Sequence, residues 1–113
     1  MHEFSLAQNI VEIVRNSATK AEKEKVYQII LEIGELSGVE EEALLTALGS
    51  QMTDSLFKDS IIKIENRKGI AICKECKTEF GLSNMFTLCP NCNGYYKDII
   101  SGKEFNVLSI EAE

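Results

Sequence analysis

The sequence predicts a small α/β (α+β) fold: a sheet of about three strands with two helices, and a cysteine-rich module inserted into it. Three observations carry this. Two stretches in the first half place apolar residues with a helical period, others alternate with the period of a strand, and all four cysteines fall between positions 73 and 92. With 113 residues, 44% hydrophobic and 27% charged, the chain has the make-up of one globular domain, with at most a small appendage.

The first helix is expected over 4–18. Leu6, Ile10, Ile13, Val14 and Ala18 share a face, with Ala7 and Val11 beside it, while Glu12 and Arg15 lie opposite. The polar run "TKAEKEK" reads as a connector. "VYQIILEIGEL" then alternates: Tyr27, Ile29, Leu31 and Ile33 point one way, and Gln28, Ile30 and Glu32 the other. Gly34 and Ser37-Gly38 end that strand. Glu40, Glu41 and Glu42 open a second helix, where carboxylates suit the positive end of the helix dipole. Leu44, Leu48 and Met52 carry its apolar stripe, which fades near 53–57.

"SIIKIENRKGIAI" is a second strand, with Ile62 and Ile64 on one face. The ending "YKDIISGKEFNVLSIE" gives two short extended runs around Ser101-Gly102, with Phe105 and Val107 in register. Strands on both sides of the cysteines imply two parts: an α/β domain made of 1–70 and 96–113, and an inserted module of 71–95.

The net charge of −6 and the pI near 4.9 speak against a general nucleic-acid binder, which needs Lys and Arg to displace counterions from phosphate. They speak equally against an anionic membrane surface. No apolar run approaches 20 residues, so no membrane insertion is expected. Glu3 and Gln8 interrupt what a signal peptide would need, and the expected address is cytoplasmic.

The cysteines stand as Cys73-Lys-Glu-Cys76 and Cys89-Pro-Asn-Cys92. In a reducing compartment, paired C-x2-C motifs point to metal rather than disulfides. Each pair can set two thiolates on a tight turn, and two such turns facing each other make a closed tetrahedral sulfur site, zinc-ribbon-like and structural in role. Soft thiolates in that geometry favour Zn(II), with iron the lesser candidate. The other reading is a redox pair or free buried thiols. Lys74 and Lys77 are placed to offset the charge of four thiolates. Lys77 and Asn93 stand where a glycine often follows such a pair; Asn accepts a left-handed backbone more readily than most residues. The bridge "KTEFGLSNMFTL" has few large apolar residues for a core of its own, so metal must supply stability.

The only histidine is His2. The α-amine of Met1, the backbone nitrogen of His2 and its imidazole can reach one ion through small chelate rings. Nitrogen donors in a plane suit Ni(II) or Cu(II) and suit tetrahedral zinc poorly. The plain alternative is an exposed terminal side chain with no role. If the first helix runs out and the first strand returns, the loop 37–42 lies near the N-terminus and brings Glu40 or its neighbours beside His2.

"MHEFSLAQNIVEIV" resembles the opening of the HypA/HybF nickel metallochaperones. "LEIGELSGVEEEAL" resembles that family's strand-to-helix segment, where a Pro commonly stands at the position of Glu41. The cysteine pairs and "GKEFNVLSIE" extend the likeness over essentially the whole chain. The resemblance implies a non-enzymatic carrier that delivers Ni(II) for [NiFe]-hydrogenase maturation. Its partners would be a GTPase accessory protein and the hydrogenase large-subunit precursor. It places nickel on Met1, His2 and Glu3, and zinc on Cys73, Cys76, Cys89 and Cys92. Glu3 would serve through its amide nitrogen, or through a carboxylate that orients the imidazole.

The competing reading is a zinc-ribbon protein-interaction module with no nickel role. Lys74, Lys77 and Lys97 are balanced there by Glu75, Glu79 and Asp98, so nucleic acid is not an expected partner. An enzyme is not expected either: there is no second histidine, no three-ligand catalytic metal site and no glycine-rich phosphate loop.

Overall fold

A computed structural model describes residues 2–113; Met1 lies outside the described residues. Helix α1 runs Glu3–Lys20 and buries Ala7, Ile10, Val11, Val14 and Ala18. That stripe repeats at three and four residues, as a helix packed on one side requires. Ile13, expected on it, is exposed, because a step of one residue from Val14 turns it about 100° away. Helix α2, Glu41–Gln51, buries Leu44 and Leu48 and packs against α1. Beyond it a 3-10 turn, Ser55–Phe57, places Phe57 in the core. Arg15 spans the two, bonding Asp54 at 2.6 Å and lying over the Phe57 ring.

Strand β1, Val26–Gly34, buries Ile29, Leu31 and Ile33 as its alternation requires. Tyr27 does not join them. Val26 is buried in its place and Tyr27 is exposed, its phenol bonded to the Glu113 carboxylate. A tyrosine needs a partner for its hydroxyl, and the strand's edge of entry supplies one.

β2, Ile61–Arg67, and β6, Phe105–Ala112, flank β1 in the order β2-β1-β6. The Ser60 hydroxyl donates to the Val26 carbonyl at one end, and the Glu35 N–H donates to the Arg67 carbonyl at the other, so β1 and β2 run parallel through α2. Glu113 exchanges bonds with Lys25, and the Gly34 N–H donates to the Glu104 carbonyl, which makes β6 antiparallel.

"SIIKIENRKGIAI" is not one strand. It breaks at Lys68-Gly69 into β2 and β3, Ile70–Cys73, which belong to different sheets. Gly69 permits the break: a Cβ there would sit 2.1 Å from the Leu82 carbonyl oxygen. β3 pairs antiparallel with β4, Glu79–Gly81, and with β5, Lys97–Ser101, in the order β4-β3-β5.

The chain forms two compact units. One comprises 1–31, 39–64 and 107–113, the other 32–38 and 65–106. The second is built on Ala71, Cys73, Phe80, Leu82 and Cys89, with Leu36, Cys76 and Ile99 packed around them. Phe80 and Leu82 come from the bridge between the cysteine pairs. That segment therefore contributes to a small core that three other stretches complete.

Candidate metal centres

The two cysteine turns repeat one backbone pattern. In the first, the Lys77 N–H donates to the Cys73 carbonyl at 3.0 Å and the Cys73 N–H to the Thr78 carbonyl at 2.9 Å. In the second, the Asn93 N–H donates to the Cys89 carbonyl at 2.8 Å and the Cys89 N–H to the Gly94 carbonyl at 2.9 Å. Closing each turn needs a left-handed residue after the second cysteine. Lys77 at φ 65° and Asn93 at φ 60° both supply it. The first turn thus adopts the same shape as the second, although its residue carries a Cβ penalty that glycine would avoid.

The sulfurs converge. All four lie within 4.8 Å of one another, with Cys73–Cys92 at 3.6 Å and Cys76–Cys89 at 3.5 Å. A tetrahedral ion with metal–sulfur bonds of about 2.3 Å has sulfur–sulfur edges of about 3.8 Å. The donor set therefore fits Zn(II) in number, softness and spacing. Cys73 and Cys89 are buried, Cys76 half-buried and Cys92 exposed.

The surroundings treat the sulfurs unequally. The Asn91 side chain, then the Thr78 hydroxyl and N–H, favour the Cys76 thiolate and bring its pKa down to about 5. At Cys92 the Gly94 N–H also favours the thiolate, but the neighbouring sulfurs of Cys73, Cys76 and Cys89 outweigh it and push the pKa up to about 12. Four thiols in one pocket cannot ionise together without a cation among them.

Asn91, Thr78 and Gly94 were not singled out by the spacing. A signal for them exists, since a polar residue next to a metal-binding cysteine is a natural donor to sulfur. Lys74 does not act as a counter-charge alone; its ammonium stands 3.6 Å from Asp98.

At the other end of the chain, His2 is exposed and is the N-cap of α1, with its carbonyl accepting from the Leu6 N–H at 3.0 Å. Its imidazole makes no cap bond. The Glu3 carboxylate accepts from the Glu40 N–H at 3.1 Å, and that bond is the main reason its pKa falls below the ordinary value. The loop before α2 thus reaches the start of α1, as the topology of the sequence implied. Gln51 Nε2 adds a bond to the Phe4 carbonyl at 3.3 Å. Met1, the remaining expected nickel ligand, lies outside the described residues. Among the described residues, no helix is long and apolar enough to cross a membrane.

Residues 1–112 match the family model described as "Hydrogenase/urease nickel incorporation, metallochaperone, hypA". The hydrogenase maturation factor HypA of Francisella philomiragia is 38% identical over 110 residues, covering 97% of each chain. That of Parabacteroides distasonis is 39% identical over 110 residues, covering 97% of this chain and 96% of its own. Among solved structures, the solution structure of the Ni metallochaperone HypA from Helicobacter pylori matches with a TM-score of 0.67 at 27% identity, over 99% of this chain and 97% of that one. A second HypA solution structure matches at 0.69 and 27% identity, over 100% and 97%. Paired cysteine turns, a histidine at the head of α1 and full-length similarity lead to one conclusion: the chain belongs to the HypA family of hydrogenase and urease nickel-incorporation metallochaperones.

Proposed function

We propose that this protein is a non-enzymatic cytoplasmic carrier that binds Ni(II) through Met1, His2 and Glu3 and delivers it for [NiFe]-hydrogenase maturation. Residues 1–70 and 96–113 form the nickel-binding part and 71–95 the zinc-binding module. Its partners are the GTPase accessory protein of that maturation system and the hydrogenase large-subunit precursor. The observation that carries the reading is the state of Glu3. Its carboxylate accepts from the Glu40 N–H, which ties the first turn of α1, with His2 exposed at its head, to the entry of α2 and so fixes the place of the N-terminal donors.

The His2 amide sits between its own imidazole and either the Met1 amine or the Glu3 amide, which gives three nitrogens in one plane, a set that suits Ni(II). Glu3 doubles as a positioning residue, because its bond to the α2 entry holds the first turn of α1 in place. Exposure of His2 suits a carrier, which must surrender its cargo. The ion binds only to deprotonated donors, so acid releases it. Zn(II) held by Cys73, Cys76, Cys89 and Cys92 cross-links the two cysteine turns and leaves no open position for chemistry.

Calorimetric nickel titration of two versions tests this, one starting at Met1 and one with Gly-Ser ahead of it, each carrying one zinc per chain. Loss of one tight nickel site on extension is expected. Equal binding by both would remove the terminal chelate and favour a zinc-ribbon interaction module with no nickel role.

A further inference from the structure

On the cysteine-bearing unit, Lys74, Met85, Tyr95, Tyr96 and Lys97 line a cavity of about 110 Å³. We propose that it docks an acidic segment of a partner protein, a surface that goes beyond the nickel site. Two ammonium-bearing residues line it and no carboxylate does; Asp98, paired with Lys74 at 3.6 Å, stands outside the lining. The cationic wall is pre-set. Lys97 Nζ donates to the Tyr95 carbonyl at 2.8 Å and lies 4.1 Å from the centre of the Tyr95 ring. The aromatic wall is open to the outside, with Tyr96 67% exposed and Tyr95 half-exposed. Met85 and the tyrosine rings beside two ammonium-bearing side chains complement a carboxylate carried beside a large apolar side chain.

Size and geometry choose this occupant over others. Small-molecule sites generally occupy about 300–1,000 Å³, so this cavity takes a side chain rather than a cofactor. Single-stranded nucleic acid needs aromatic faces free for successive bases. Here the two tyrosine rings meet edge to face at 86°, and Lys97 already covers the face of Tyr95.

The surface is also tied to the metal centre. Lys74 lies between Cys73 and Cys76, its N–H donates to the Tyr96 carbonyl at 2.9 Å, and Cys73 pairs in register with Lys97. The closed sulfur site thereby holds the two walls of the cavity together, which gives a structural ion a use in recognition.

The test is fluorescence anisotropy of the zinc-loaded full chain with a labelled peptide, Gly-Asp-Leu-Asp-Phe-Glu-Gly. The same peptide with lysine for each acid and an oligothymidylate serve as comparators. Saturable binding of the acidic peptide alone is expected, weakened about tenfold or more by Lys97→Glu, as for a charge reversed at a contact. Lys63→Glu, the same charge change on exposed β2, should leave it unaltered. If Lys97→Glu loses zinc, Tyr96→Ser takes its place, with zinc content as the check on folding. Absence of saturable binding, equal binding of acidic and basic peptides, an equal effect of Lys63→Glu, or preference for the oligothymidylate would each overturn the proposal.

Discussion

Cys76 and Cys92 are the same side chain, yet the fold holds one near 5 and the other near 12. The difference comes from neighbours: Asn91 and Thr78 aim donors at Cys76, while Cys92 faces three other sulfurs. The sign for stability follows. A thiol whose pKa is lowered from 9.0 stabilises the zinc-free fold fully above that value, and loses its contribution as pH falls through about 5. Cys92, shifted the other way, contributes below 9.0 and loses it as pH rises through about 12. Thr78→Val, which removes a hydroxyl donor from the Cys76 sulfur, should therefore raise the pH at which acid releases zinc from the loaded chain, read with a chromogenic chelator. An unchanged release pH would refute the asymmetry.

Among the elements, β1 shows how closely the backbone is packed where it ends. A Cβ on Gly34 would lie 2.0 Å from the Gly102 carbonyl oxygen and 2.2 Å from its carbonyl carbon. These are main-chain atoms and cannot swing aside. The Leu36 N–H also donates to that carbonyl, at 2.6 Å, so any shift would break a bond as well. Gly34→Ala is expected to cost at least about 2–3 kcal/mol, in the range of overpacked cores, read as a lower midpoint in urea at unchanged slope. A midpoint within experimental error of the parent would contradict the contact. The same crowding explains why this position is glycine in a strand otherwise rich in β-branched residues.

For the whole molecule, the two units rest on different supports. The unit of 1–31, 39–64 and 107–113 buries large side chains from two helices and β1: Val14, Val26, Ile29, Leu31, Leu44 and Leu48. The other relies on a few buried residues, two of them cysteines of the four-sulfur cluster that fits zinc. Structural zinc contributes on the order of 10–16 kcal/mol in small cysteine modules, more than such a core can. Chelating the zinc should therefore remove hydrogen-exchange protection from β3, β4 and β5 while amides of α1 and α2 keep theirs. Protection lost in all five elements together would show a single cooperative fold instead.

Much of this was legible in the residues. The helices, the alternation of Ile29, Leu31 and Ile33, and the pairing of cysteines follow from periods and spacings that each element imposes locally. The exceptions were places where a neighbour overruled the period. Tyr27 turned outward because Glu113, 86 positions away, offers its phenol a partner. Ile13 lost its place because the buried stripe is centred on Val14. The split of β2 from β3 depends on how closely Leu82 approaches Gly69, a contact with no trace in the run "RKG".

Local pattern is enough to give the family, the two helices, most of the extended segments and a donor set of four thiols, since motif spacing and side-chain softness are local properties. Long-range packing sets the strands near the cysteines into a second sheet and brings the Glu40 N–H to the Glu3 carboxylate. It alone brought Lys74, Met85, Tyr95, Tyr96 and Lys97 to one cavity. Those facts are distances between residues far apart in the chain, and they are set by packing and backbone hydrogen bonds that no local pattern encodes.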